Sequence, residues 1–287
     1  MAEQRSDLWT SGAAYERYMG RWSRLVAREF VTWLDRAEGL RWLDVGCGTG
    51  ALSAVVAARC GPRGVVGCDR SEGFAGTAAR RPRPTRAAAL DTAADPDPDP
   101  APAVGSPRFV VADAMALPVP DGVFDVAVSG LTLNFLPEPA AGIGELARVV
   151  RPGGGLVAAY VWDYGDGMGL LRRFWDAAAE ADPAAAALDE GRRFPDCHPQ
   201  ALHTLWTGVG LTAVSTTAIE VPTVFADFAD LWTPFLSGQG PAPAYVASLA
   251  PAARDRLRET LRTTVPTAPD GSVPLTARAW AVRGVRP

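Results

Sequence analysis

The sequence predicts an α/β protein built on a doubly wound, mostly parallel sheet. Three observations carry that prediction. Short apolar runs that read as strands are followed by runs that read as helices. A glycine-rich turn joins the first strand to its helix. Acidic residues stand at the C-terminal ends of the next strands, where open α/β sheets bind ligands.

Residues 13–35 form an amphipathic helix, with Tyr15, Tyr18, Met19, Trp22, Leu25, Val26, Phe30 and Trp33 at helical spacing. Packing against a sheet accounts for most of that stripe. Only its start, from Tyr15 to Arg21, has polar groups suited to a ligand. The apolar stretch Leu40 to Leu43 is the first strand, and Leu43-Asp44-Val45-Gly46-Cys47-Gly48-Thr49-Gly50 leads from it into a helix, Ala51 to Arg59. The glycines let the backbone turn sharply and come close to a ligand, and the helix start presents unpaired N–H groups. Gly46, Gly48 and Gly50 read G-x-G-x-G, not the G-x-G-x-x-G that sits against a pyrophosphate. An aspartate precedes the first glycine by two residues. The turn suits a ligand without a pyrophosphate, and S-adenosylmethionine is one.

Val65 to Asp69 is a second strand ending in a carboxylate, placed to chelate a ribose cis-diol. Phe109 to Ala114 is a third, and Asp113 at its end can accept a hydrogen bond from an adenine amino group. Between them, Pro82 to Pro107 holds the repeat Asp95-Pro96-Asp97-Pro98-Asp99-Pro100. Proline blocks helix and ladder alike, so 82–107 is expected to be a disordered surface insertion. A turn and fourth strand follow over Asp121 to Ser129, then a helix from Pro139 to Val150 and a fifth strand, Leu156 to Val161. Further on come helices at Leu170–Ala181 and Pro199–Val209, a strand from Leu211 to Val221, a mainly helical stretch, and a last strand from Leu275 to Gly284. The stretch 222–270 is expected to be a helical cap, and Phe225, Phe228, Trp232 and Phe235 suit either an apolar lid or simple attachment.

On these motifs the chain resembles the class I S-adenosylmethionine-dependent methyltransferases, in the small-molecule branch similar to ubiquinone and menaquinone biosynthesis enzymes. The resemblance runs from about Tyr15 to the C-terminus. It implies one Rossmann-like domain over 1–287, with a seven-stranded sheet, an N-terminal covering helix and a cap insertion between the last two strands. It places Asp44, Gly46, Cys47, Gly48 and Gly50 around the methionine part of S-adenosylmethionine, Asp69 on the ribose and Arg70 beside the adenine. Asp113 with Ala114 reads the adenine edge, Leu131 touches the cofactor through its backbone, and Tyr15, Met19 and Arg21 reach it from the N-terminal helix.

Composition narrows the alternatives. A net charge of −4 and no basic tract argue against nucleic acid. Every basic side chain is arginine, which excludes lysine Schiff-base chemistry. Cys47, Cys60, Cys68 and Cys197 form no metal-binding spacing and read as reduced cytoplasmic thiols. No signal peptide or membrane span is evident, so a cytoplasmic protein without a membrane partner is expected. Methyl transfer from a sulfonium is an in-line displacement that orientation can drive, so neither metal nor covalent nucleophile is required. A hydroxyl acceptor would benefit from a general base. His198, Asp163 and Tyr164 are the candidates, and the sequence selects none of them. A cofactor-binding protein that catalyses a cyclisation keeps the same pocket, whereas the glycine spacing and Asp44 argue against a nicotinamide oxidoreductase.

Overall fold

The structure, a computed structural model, describes residues 20–81, 106–236 and 240–287. Tyr15, Met19 and nearly all of the Pro82–Pro107 stretch lie outside them. Arg21 heads the first helix, and its side chain also lies outside the described part.

Seven strands form one sheet in the order β3-β2-β1-β4-β5-β7-β6. They are β1 (Arg41–Val45), β2 (Gly64–Asp69), β3 (Arg108–Val111), β4 (Val126–Gly130), β5 (Leu156–Trp162), β6 (Thr212–Phe225) and β7 (Val273–Val285). The first five run parallel, with Leu43 opposite both Val66 of β2 and Ala127 of β4. From β1 the chain winds outward to β2 and β3, then returns to place β4 on the other flank. The strand order thus reverses between β1 and β4, which is where such sheets open a ligand crevice. The β5–β7 pair is antiparallel, since Arg286 bonds Gly155 at one end while Arg278 bonds Asp163 at the other.

Two expected boundaries shift. The third strand stops at Val111, because the Asp113 carboxylate accepts from the Met115 N–H and turns the chain away. The sixth strand runs on to Phe225 rather than ending at Val221. Val221, Thr223 and Phe225 are buried while Glu220, Pro222 and Val224 are exposed, so the two-residue alternation persists. Pro222 is tolerated there because β6 lies at the sheet's edge. Helices do follow, at Phe228–Trp232, Pro241–Ser248 and Pro251–Thr264.

The chain divides into two compact units. One comprises 23–161, 198–219 and 280–287. Its core is apolar on both faces of the parallel strands, with Trp42, Leu43, Val126, Val128, Ile143 and Leu146 almost fully buried. Such strands read as continuous hydrophobic runs. Here Phe30 packs its ring 4.7 Å from that of Tyr160. Arg283 lies over the Trp33 ring and donates to the Trp33 carbonyl, closing the C-terminal end of the helix Arg21–Leu34.

The other unit comprises 162–197 and 220–279 together with the described residues 20–22. Its described core is aromatic. Phe174 stacks on Phe235 at 4.4 Å and meets Trp175 edge-on at 5.0 Å. Asp163 is buried and paired with Arg278 at 2.6 Å. Trp175 donates its indole N–H to the buried Glu190, and Arg172 grips Asp189 with both guanidinium ends. No helix among the described residues is long and apolar enough to cross a membrane.

Candidate functional site

The glycine turn at the end of β1 is held by backbone bonds that leave one side open. Gly46 and Cys47 both donate to the Cys68 carbonyl, at 2.8 and 2.9 Å, tying the turn to the end of β2. Gly46, Gly48 and Gly50 all have positive φ, at +72°, +53° and +82°. Their surroundings differ. A Cβ on Gly46 would lie 2.3 Å from the Thr132 side chain, whereas one on Gly48 would meet nothing within 4 Å among the described residues. Gly46 serves packing, and Gly48 faces space that no described residue fills. The helix Ala51–Arg59 then begins without a side-chain cap from Gly50, and the Ser53 N–H on its first turn is directed at the Asp44 carboxyl.

Two carboxylates border this turn. Asp44 is buried, and its Oδ2 accepts from the Ser53 hydroxyl at 2.6 Å. Its Oδ1 is buried with no partner among the described residues. Burial pushes the Asp44 carboxyl up to about 7, against the opposing pull of Ser53. Asp69, at the end of β2, accepts from Gly48 N at 3.0 Å and from Ser71 N at 2.8 Å. Burial raises this carboxyl too, and those two N–H groups offset part of the rise. Each Asp69 oxygen retains a lone pair for a further donor.

The ends of β3 and β4 complete the arrangement. Ala112 donates to the Asp69 carbonyl, so Asp113 and Ala114 follow directly from a contact with the β2 end. Asp113 is exposed and Ala114 half-buried, and Arg70 is likewise exposed beside Asp69. Leu131 adopts φ +59°, a costly conformation for a leucine, and its N–H is held by the Tyr160 carbonyl. Strain of this kind concentrates at functional sites. Thr132 donates to both the Gly46 and Gly130 carbonyls, clamping the β4 exit onto the glycine turn.

The expected site residues Asp44, Gly46, Cys47, Gly48, Gly50, Asp69 and Leu131 therefore come together at one set of strand ends. Sequence reasoning missed Ser53 and Thr132. Ser53 carried a readable signal, since it lies on the first turn of the helix that the glycines open. The three candidate bases are separated by their environments. His198 accepts from Ala201 N through Nδ1 at 3.4 Å and caps the helix Pro199–Gly208. Asp163 is committed to Arg278, and Tyr164 is buried with its ring 5.3 Å from that of Phe194. Burial also holds the Cys47 thiol far above its ordinary range, so it stays protonated within the turn.

Residues 43–158 match the methyltransferase-domain family. A 2-methyl-6-phytyl-1,4-hydroquinone methyltransferase from a Synechocystis species is 30% identical over 257 residues, covering 82% of this chain and 73% of that protein. A demethylmenaquinone methyltransferase from Symbiobacterium thermophilum is 33% identical over 136 residues, 47% of each chain. The chain spans about half the length of this relative and of several other curated methyltransferases that it matches. Among solved structures, the YcgJ protein from Bacillus has the same fold with TM-score 0.52 at 14% identity, over 91% of this chain and 98% of that one. Haemonchus contortus phosphoethanolamine N-methyltransferase 2, solved with S-adenosylhomocysteine, gives 0.51 at 15% identity over 96% of this chain and 57% of that one.

Proposed function

Because the chain belongs to the class I S-adenosylmethionine-dependent methyltransferases related to quinone biosynthesis enzymes, we propose that it methylates a small, largely hydrophobic metabolite. The observation that carries this reading is the open face of the glycine turn at Gly48, bordered by Asp69 and by an Asp44 oxygen that has no partner among the described residues. These residues fit the cofactor. Asp44 offers a buried acceptor to a donor on the methionine part, and Asp69 has lone pairs for ribose hydroxyls. Gly48 lets the ligand approach the backbone.

When bound, the cofactor supplies a methyl group on a positively charged sulfur. The residues of the chain then have to orient and exclude water, which suits an apolar acceptor. No side chain is assigned to proton removal, since capping engages His198 and ion pairing engages Asp163. The acidic net charge supports a metabolite rather than a nucleic acid as acceptor. Relatives that act on hydroquinones and naphthoquinones make a reduced quinone ring the first acceptor to try.

The test is incubation with methyl-labelled S-adenosylmethionine and a panel of hydroquinones, phenols and amines. Label in an extracted product is expected. Calorimetric binding of S-adenosylhomocysteine without transfer to any acceptor class would point to a reaction other than methylation. Absence of binding would remove the cofactor assignment itself.

A further inference from the structure

A cleft of about 480 Å³ opens at the far end of the sheet from the glycine turn. Leu156, on its wall, stands opposite Val126 of β4, and Val126 stands opposite Trp42 near the start of β1. Strand rise puts that level roughly 13 Å from Gly46. All the lining residues belong to the unit that carries the parallel strands. Sheets of this kind bind their ligands at the carboxyl ends of the strands, so the proposed methyl transfer makes no use of this cleft. Its backbone is unusual. Three non-glycine residues among those described have left-handed φ, and two of them, Asp35 and Ala213, line the cleft, each at +48°. Such conformations cluster at ligand sites. Asp35 ends the helix Arg21–Leu34 where glycine is usual, which puts a carboxylate-bearing residue on the wall. Thr212 and Ala213 are both exposed, so the alternation of β6 is broken where it borders the cleft.

The lining carries both kinds of charge. Arg283 lies over the Trp33 ring and donates through Nη1 to the Trp33 carbonyl and through Nε to the Ser215 hydroxyl, at 2.9 and 3.2 Å. Its Nη2 has no hydrogen bond among the described residues, and Ser215, accepting from Nε, keeps its own proton to give. Arg36 and Asp35 are exposed, and neither side chain has a partner among the described residues. Three groups can thus donate to an anion. A carboxylate stands beside them at the carbonyl end of a helix, which favours positive charge. A simple anion entering here meets the Asp35 charge, and a simple cation meets two guanidinium groups. A ligand with both charges satisfies the whole set. Leu156 and Val285 add an apolar wall.

We propose that this cleft binds a free α-amino acid with an apolar side chain. Its carboxylate takes the donors of Arg283, Ser215 and Arg36, its ammonium faces Asp35, and its side chain lies against Leu156 and Val285. The inference does not depend on the cofactor, so the test is run without one. The full chain is titrated by calorimetry with L-leucine, with 4-methylpentanoate, which lacks the ammonium, and with 3-methylbutylamine, which lacks the carboxylate. L-leucine is expected to bind with a dissociation constant of about 1 mM or tighter, and each analogue about tenfold more weakly or worse. Asp35→Asn and Arg36→Ala should each weaken L-leucine about fivefold or more through one lost charge-assisted bond. Asparagine tolerates the left-handed backbone, and neither side chain has a partner among the described residues to lose, so both variants should melt within a few degrees of wild type. Failure of L-leucine to bind would overturn the proposal. Equal binding of 4-methylpentanoate would make this a plain carboxylate site and overturn it too, as would wild-type affinity in both variants.

Discussion

Gly46 and Gly48 sit two residues apart in one turn, yet alanine at each should fail in a different way. At Gly46 the new Cβ would lie 2.3 Å from Thr132 Cγ2 and 2.4 Å from its Oγ1. Thr132 cannot swing aside without breaking its bonds to the Gly46 and Gly130 carbonyls. A left-handed backbone costs an alanine about 1–2 kcal/mol, and overpacking adds about 1–3 kcal/mol. Their sum, about 2–5 kcal/mol, corresponds to a fall in melting temperature of roughly 3–8 °C for a chain of this size. At Gly48, φ is +53° and the Cβ meets nothing within 4 Å among the described residues, so only the backbone cost of about 1–2 kcal/mol applies. That methyl group would instead occupy the space proposed for the ligand. Gly48→Ala should therefore melt within a few degrees of wild type but lose about tenfold or more in affinity for S-adenosylhomocysteine, about 1.4 kcal/mol. Thermal denaturation and calorimetry on both variants read the contrast. A folded Gly48→Ala with wild-type affinity would refute the assignment of that open face, and a Gly46→Ala as stable as wild type would refute the packing argument.

Three further expectations follow from the same geometry. Asp69→Ala should weaken S-adenosylhomocysteine binding by about 1.5–3 kcal/mol through lost charge-assisted bonds, measured by calorimetry, and unchanged affinity would discredit the ribose role. Burial pushes the Asp44 carboxyl from its ordinary 3.8 to about 7, so between those values the folded chain holds a proton that the unfolded chain has released. Ligand-free stability should then fall as pH rises through that window, and Asp44→Asn should recover up to about 4 kcal/mol above it, read as a flatter melting-temperature profile from pH 4 to 8. Glu190, also pushed up to about 7 by burial, retains its own part of the slope. Trp175→Phe removes the donor to Glu190 and should cost about 1–3 kcal/mol, with the loss larger at pH 8 than at pH 5 because the charged form needs the donor more.

Local chemistry was legible in the sequence, and partners distant along the chain were not. The helix Ala51–Arg59 has the bounds its residues suggest, because glycines before it and an arginine at its end mark both limits. Asp44, the glycine turn and Asp69 stand out because one strand–turn–helix unit and the next strand carry them. The end of β3 was misjudged since an Asp113 side chain competes with the ladder for a backbone N–H. Thr132 was invisible because its partner Gly46 lies 86 positions earlier, and no spacing rule joins them.

The four cysteines give the native chain its own reporter of unfolding. All are buried as free thiols, with Cys60 pushed up to about 11 and Cys68 and Cys197 to about 12. An alkylating reagent attacks thiolates, so it should modify these side chains only in molecules that have transiently opened. Cys47, Cys60 and Cys68 belong to the unit with the glycine turn, and Cys197 belongs to the other. Mass spectrometry of the labelled peptides would thus time the opening of each half of the molecule separately, with no engineered probe.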